Sequence, residues 1–473
     1  FSCQAGTAQI RRYLDSAVEA AEEALQAYGH FNARIRASVQ SRKDCRDPAL
    51  DIDAGPVTRI EAVRVDLPPA VESLEQVASF LADNRPEVGV PLDQAAYDAF
   101  RDGLLSRVQK QGYLDARFTT RELQVDPATQ SARITLVLAP GERYRFGEVS
   151  IEQSVLEPDL ARRLTGVPSG VPYTSAGLLA MNQNLTGSEY FESVAVRPHL
   201  DERKDLEVPV TITTRRNART SYELRAGYAT DVGPRVGAQV TRRYVNKRGH
   251  QWAARTQLSA IEQRLDTTYT IPRAADPLRE RYDIYARATR EDNNDIVTTA
   301  AAAGLQWAYQ GDRWTRSLFT EYLLDRTRYG DDPAESNGFA ILGGRLGYDG
   351  LDDPLFPSEG VVIDVSLQGA ADPLLSAASF LRTRAFVGGY LSLGQWIVAG
   401  RGEAGVVLTD DFDAMPRSLR FFTGGDRSVR GYAYDSLAPE DEDGTRIGGK
   451  YLLAGSLEAM YPVIGDDWYL AAF

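Results

Sequence analysis

The side chains best suited to covalent or metal chemistry are few and scattered in this chain of 473 residues. It holds three histidines (His30, His199, His250) and two cysteines (Cys3, Cys45). A zinc site or a Cys–His nucleophile needs such groups clustered, so neither is expected, and no metal or other cofactor is assigned. No Gly-x-Ser-x-Gly elbow occurs, which leaves a fused hydrolase without support. Asp441-Glu442-Asp443-Gly444 lacks the ligand pattern of a calcium loop and reads as a solvated acidic stretch. The chain is not expected to be an enzyme. What stands out instead is a long loop that carries several arginines, Arg427 and Arg430 among them. The stretch from about 411 to 448 shows no strand pattern, and loops of that length are functional or disordered. It contains Phe421-Phe422-Thr423-Gly424-Gly425-Asp426-Arg427-Ser428-Val429-Arg430-Gly431-Tyr432. A guanidinium fork that grips a carboxylate fixes geometry as well as charge.

Bulk properties narrow the partners. Lys plus Arg total 53 against 66 for Asp plus Glu, a net charge of −13. No basic surplus is left for broad phosphate contacts, so nucleic acid is not expected. No run of about 18 apolar residues occurs, so no helix spans a membrane; a β-barrel needs no such run. The start lacks a basic segment followed by an apolar one, so a signal peptide has been removed or none existed.

The elements that must position this loop fall into two halves. Up to about residue 217, helix and strand patterns mix, and they repeat. Gly29-His30-Phe31-Asn32-Ala33-Arg34-Ile35 matches Gly112-Tyr113-Leu114-Asp115-Ala116-Arg117-Phe118, and Tyr190-Phe191-Glu192-Ser193-Val194-Ala195 is a weaker third copy. A period of roughly 80 residues suits a small domain in tandem. Ala96, Phe100, Leu104 and Val108 recur at helical spacing, and Gly112 fits a left-handed C-cap. Gly55 to Val63 matches Gly141 to Val149 as the opening strand of the next unit. The unit is strand, two helices, strand, strand, and the first copy lacks its opening strand. There, a helix over 7–27 is roughly 30 Å long and the strand after it returns over roughly 33 Å. That brings Cys45 back towards Cys3, and a disulfide between them is expected, in keeping with an oxidising compartment.

From about 219 onward the pattern alternates at period 2. Tyr222, Leu224, Ala226 and Tyr228 face one way while Glu223 and Arg225 face the other. About thirteen strands are expected, the last two over 449–463 and 467–473. Such alternation fits a transmembrane barrel with a wet lumen or a soluble all-β domain, and period alone does not separate them. Single-chain bacterial barrels have even strand counts, so an odd count implies that the chain stops before its barrel closes.

The repeated unit and its Gly-x-x-Tyr-Arg-Phe-Gly opening (Gly141 to Gly147) resemble POTRA domains. The Val429-Arg430-Gly431-Tyr432 run resembles the signature of the inward-folded loop of BamA/TamA-type outer-membrane assembly factors. Three repeats, and the barrel opening Gly227 to Arg235, resemble the TamA-like branch. The resemblance implies α+β tandem POTRA domains (β-α-α-β-β), over 1–55, 56–140 and 141–217. It then implies an antiparallel transmembrane β-barrel over 218–473, sixteen-stranded in the family, with its last strands missing here. It implies that Arg430 meets an acidic residue on the lumen wall. Glu458 is the match, since Leu457 and Ala459 face lipid and Glu458 the lumen; Asp349 is a second candidate. It also implies a lateral gate beginning with the strand of Tyr222, Leu224, Ala226 and Tyr228. The implied activity is insertion of unfolded outer-membrane proteins such as autotransporters into the lipid bilayer, with a TamB-like inner-membrane-anchored partner. The alternative is a two-partner secretion pore.

Overall fold

The computed structural model describes residues 7–42, 45–229, 233–293, 296–329, 333–425, 428–432, 435–442, 444, 446–465 and 468–473. Contacts divide the chain into two units. One comprises residues 1–150, 167–180 and 196–211; the other comprises 151–166, 181–195 and 212–473.

The first module is a helix α1 (Thr7–Ala27) against a two-stranded antiparallel sheet, β1 (Arg34–Arg42) and β2 (Cys45–Asp53). Ile10 and Leu14, one turn apart, are its buried helical pair. The second module is complete: β3 (Arg59–Asp66), α2 (Pro69–Glu72), α3 (Glu75–Asn84), α4 (Gln94–Lys110), β4 (Arg117–Asp126) and β5 (Ser131–Ala139). Its sheet order is β3-β5-β4, with β3 parallel to β5 and β4 antiparallel. Asp93 caps α4 by accepting from the amides of Ala95 and Ala96 at 2.8 and 3.2 Å. The buried stripe of α4 is Tyr97, Phe100, Leu104 and Val108. Ala96, expected to open that stripe, is exposed. A spacing of three is as good as four on a helix, and the larger apolar side chain takes the buried place. The third module holds β6 (Arg145–Glu152), α5 (Pro158–Arg163), α6 (Ser175–Gly187), β7 (Phe191–Pro198) and β8 (Glu207–Arg216), with sheet order β6-β8-β7.

The remaining strands form one antiparallel sheet in which every neighbour in space is a neighbour in sequence. They are β9 (Thr220–Ala229), β10 (Gly233–Arg242), β11 (Gln251–Ser259), β12 (Glu262–Pro272), β13 (Glu280–Asn293), β14 (Ile296–Gln310) and β15 (Trp314–Tyr329). β16 (Glu335–Asp349), β17 (Gly360–Ala370), β18 (Phe380–Leu393), β19 (Trp396–Thr409), β20 (Tyr451–Ile464) and β21 (Trp468–Ala472) complete it. The expected fold class holds: small α+β sheets in tandem, then an antiparallel sheet of thirteen strands among the described residues.

The alternation is inside-out relative to a soluble sheet. Leu224, Leu453 and Leu457 project outward, 84%, 88% and 68% exposed. Inward-facing charges pair with each other: Arg287 with Glu321 at 2.8 Å, Arg345 with Asp364 at 2.6 Å, and Arg384 with Glu403. The lumen is not uniformly polar, however. Leu323, Phe339, Ile341, Phe380 and Val407 point inward near one end of their strands and form a small apolar core.

Candidate functional site

That inner core exists because the long loop after β19 folds onto it. Met415, Leu419 and Phe421 of the loop pack with Phe339, Ile341, Phe380 and Val407 of the wall. Phe421 and Gly449 exchange both backbone hydrogen bonds, at 3.0 and 2.8 Å, as do Thr423 and Leu437. Arg420 is buried and donates to the carbonyls of Met415, Ile447 and Asp413 at 3.1, 3.0 and 2.9 Å. One side chain thus satisfies three loop carbonyls that would otherwise lose water on burial. Its guanidinium also lies 4.6 Å from the Phe412 ring centroid.

Past this anchored base, the Ser428 amide donates to the Gly425 carbonyl at 3.0 Å, and the Gly424 amide donates to Ser428 Oγ at 3.0 Å. Arg430 comes next, with Nη1 3.0 Å from Glu458 Oε2 of β20. The two side chains retain 33% and 24% exposure, so the pair is partly screened. The Arg430 guanidinium also stands 4.5 Å from the Phe473 ring centroid. Gly431 has φ +88°, and Tyr432 lines a cavity of about 910 Å³ together with Arg382, Arg384, Glu403, Arg417 and Asp435. A second lumen cavity of about 640 Å³ is bounded by Asp283, Tyr285, Arg287, Glu321 and Arg345.

The structure brings Arg430 and Glu458 together but does not bring Asp349 to them. Asp349 ends β16 at the turn joining it to β17, where its carboxylate accepts from the Leu351 amide at 3.2 Å. Its parity is inward, but its height is that of a turn. Tyr222, Leu224, Ala226 and Tyr228 share the outward face of β9, and their strand hydrogen-bonds to β10 along its length. The expected disulfide lies outside the description: Cys3 is not among the described residues, and only the backbone of Cys45, in β2, is. Sequence reasoning missed Arg420 and the inward apolar row. The signal for the row was present, since Phe339 and Ile341 share parity with Arg345 and Asp349.

The repeats that precede the barrel show how the chain is hinged. In the second copy, Gly112 has φ +97°, and a Cβ there would sit 2.4 Å from the Tyr173 carbonyl oxygen. Gly29 is its counterpart, with φ +84° and 2.9 Å to the Leu92 oxygen. In both, the glycine carbonyl accepts from the next module: Thr58 N at 2.8 Å and Tyr144 N at 2.9 Å. Tyr144 Oη also donates to Asp115 at 2.8 Å, and Arg203 pairs with the same carboxylate at 2.9 Å. The Asp115 carboxylate, with burial adding to it, raises the Tyr144 pKa above the usual phenol value. The third copy differs: Glu189 takes the left-handed conformation, φ +63°. Its neighbour is the large sheet instead of another module. Tyr190 Oη donates to the Gly249 carbonyl at 2.5 Å and Glu157 N to the Lys247 carbonyl at 2.8 Å, so this copy grips the turn between β10 and β11. Burial pushes the Tyr190 hydroxyl pKa up.

This geometry has counterparts among known proteins. The profile of the Omp85 superfamily domain matches residues 245–473, and that of the POTRA domain TamA domain 1 matches residues 2–54. Two curated relatives are outer membrane protein assembly factor BamA of Nitratidesulfovibrio vulgaris and of Neisseria meningitidis serogroup B. The first is 22% identical over 74% of this chain and 45% of its own length; the second is 24% identical over 74% and 48%. The chain therefore spans about half the length of these relatives. Among solved structures, BamA from Haemophilus ducreyi lacking POTRA domains 1–3 aligns with TM-score 0.64 at 16% identity. The alignment covers 87% of this chain and 84% of that one.

Proposed function

The chain belongs to the Omp85 superfamily, with a first POTRA domain of the TamA type, and from that premise we propose that it inserts unfolded β-barrel substrates such as autotransporters into the membrane through a lateral gate. The family resides in the bacterial outer membrane with its POTRA domains in the periplasm, and so does this chain. We assign three POTRA domains to 1–55, 56–140 and 141–217, and the barrel to 218–473. No bond is made or broken in the proposed activity. The free energy comes from strand pairing and from burying apolar side chains in lipid.

The physical logic is edge pairing. A weakly zipped seam exposes N–H and C=O groups that have no water to bond in the bilayer. A substrate strand adds there through backbone hydrogen bonds, so many sequences qualify. On this reading β9, with Tyr222, Leu224, Ala226 and Tyr228 towards lipid, is one side of the seam. Arg430 and Glu458 act as the lock that holds the loop in the lumen beside β20. The observation that carries the reading is this ion pair at 3.0 Å, reached from a loop whose base is fixed by Arg420 and Phe421. A TamB-like inner-membrane-anchored protein is the proposed partner of the periplasmic array.

The test is a photo-crosslinker at Leu224 in the full-length protein during autotransporter assembly. Crosslinks to the final strand of the substrate are the expected outcome. Crosslinks confined to the protein's own last strand, with substrates still assembling, would mean a closed seam and a two-partner secretion pore instead.

A further inference from the structure

The outward face of the barrel carries arginines at one height that neither the seam nor the loop lock uses. The strand register defines that height. Across β12 to β16, Leu265, Ala288, Ala301, Leu324 and Gly338 lie side by side in one apolar outward row. Two residues further along each strand, away from the end of the barrel that carries the β10–β11 turn, the same face reads Gln263, Arg290, Thr299, Arg326 and Ser336. The next row adds Asp292, Val297 and Arg328. The change from apolar to polar is complete within one step of the register.

The position of this step fits a membrane boundary. On β15 the outward residues run Trp314, Arg316, Leu318, Thr320, Tyr322, Leu324, Arg326, Arg328. Arg316 lies two residues above the periplasmic start of the strand, and its guanidinium stands 5.5 Å from the Tyr309 ring centroid. From Arg316 to Arg326 the strand rises about 33 Å, or roughly 25 Å along the membrane normal at a tilt of ~40°. That matches the apolar band of an outer-membrane barrel, about 25 Å tall. Arg290, Arg326 and Arg328 therefore stand at the headgroup level of the outer leaflet.

All three are exposed. Arg290 is only loosely held, 3.5 Å from Asp292, with both side chains about half exposed. Among the described residues no carboxylate pairs with Arg326 or Arg328. Arg290 and Arg326 flank Thr299 two strand spacings apart, about 10 Å, and Arg328 stands one row above. Lipid-facing guanidinium groups that the described acceptors hold loosely, as at Arg290, or leave unpaired, as at Arg326 and Arg328, need anionic oxygens from the lipid, and their forks match phosphate. Three within that span suit a headgroup with more than one phosphate better than a single phosphodiester.

We propose that this patch binds the phosphate groups of a bisphosphorylated saccharolipid of the lipid A type in the outer leaflet. The inference rests on the outer-membrane location and not on the assembly activity. It gives the β13–β15 wall a fixed lipid neighbour, well along the sheet from the proposed seam at β9.

The test uses the full chain purified in detergent, with bound lipid counted by native mass spectrometry. The protein is equilibrated with bisphosphoryl lipid A, with its monophosphoryl form, or with phosphatidylglycerol. The bisphosphoryl form is expected to be retained best and phosphatidylglycerol least. Arg326→Gln with Arg328→Gln should lower its retention by roughly tenfold, while Lys at both positions keeps most of it. The single Arg328→Gln reads the same point if the double variant does not fold, as judged by heat-modifiable mobility. Undiminished retention in the folded Gln variants, or phosphatidylglycerol held as well as lipid A by the unaltered protein, would overturn the assignment.

Discussion

The second POTRA module and the barrel are built on the same two-residue alternation, used in opposite senses. In β5, Ala132, Ile134, Leu136 and Leu138 are buried under α3 and α4, and Arg133 reaches out to pair with Glu61 at 3.0 Å in water. In β20, Leu453 and Leu457 face out and Ser456 and Glu458 face in. The period fixes which residues share a face; what lies opposite that face decides which of the two is dry. The module supplies its own apolar cover from helices, whereas the barrel takes cover from lipid and fills part of its lumen with a loop. The lumen therefore holds two environments, ion-paired near Arg287–Glu321 and core-like near Phe339.

If that comparison is right, Phe339 and Leu104 behave alike although one lies in a barrel lumen. Both are fully buried. Phe339→Ala should cost about 3–5 kcal/mol and Leu104→Ala about 2–5 kcal/mol, since each leaves a cavity in packed surroundings. Leu453→Ala, on the lipid face at 88% exposure, should cost less than about 1 kcal/mol. Heat-modifiable mobility reads the barrel variants, and amide exchange of α4 in the intact chain reads Leu104→Ala. A Phe339→Ala barrel as heat-resistant as the parent would mean that the loop only rests on the wall.

The hinges sharpen the comparison within the periplasmic array. Gly112→Ala places a Cβ 2.4 Å from the Tyr173 oxygen at φ +97° and should destabilise the junction by about 1–3 kcal/mol. Glu189→Gly should do the reverse by about 0.5–1 kcal/mol, because it removes a left-handed non-glycine residue. Protease sensitivity at the two junctions distinguishes these signs. Equal effects at both would show that the third hinge is not special.

These sites also mark what could be read from the chain. Thirteen strands and the outward faces of β9 and β20 emerge from parity, because lipid imposes one rule over the whole outer surface. The pairing of Arg430 with Glu458 was reachable from a motif joined to parity. Asp349 had the right parity but the wrong height, and height depends on where a strand starts, which single-residue patterns fix poorly. Arg420 was not legible: among the described residues its guanidinium is hydrogen-bonded to backbone carbonyls, which carry no signal in the side-chain sequence. Glu189 was hidden for a related reason, since the repeat is recognised by its glycines and the third copy has none at that place.

The Arg430–Glu458 pair, proposed as the loop's lock, should give a smaller effect. Arg430→Lys keeps the charge but loses the planar fork, both at Glu458 and against the Phe473 ring. With both side chains partly in water, the loss should be about 1–2 kcal/mol. It should appear as faster proteolysis of residues 411–448, with the barrel's heat-modifiable mobility retained. If Arg430→Lys matches the parent while Phe339→Ala frees the loop, the apolar core and not the ion pair holds it.

The smallest expected effect is a pH dependence confined to the periplasmic array. The Tyr144 pKa is raised in the folded chain by its hydrogen bond to Asp115 and by burial. A group with a raised folded pKa keeps the junction fully stable below its unfolded value, near 10, and withdraws that stability as pH rises through the folded value. Protease sensitivity around Gly112 should therefore increase above about pH 10. Tyr144→Phe should be weaker at neutral pH and flat across the same range. A junction that loosens equally in Tyr144→Phe would assign the alkaline effect to another group and leave the Asp115 contact without its share.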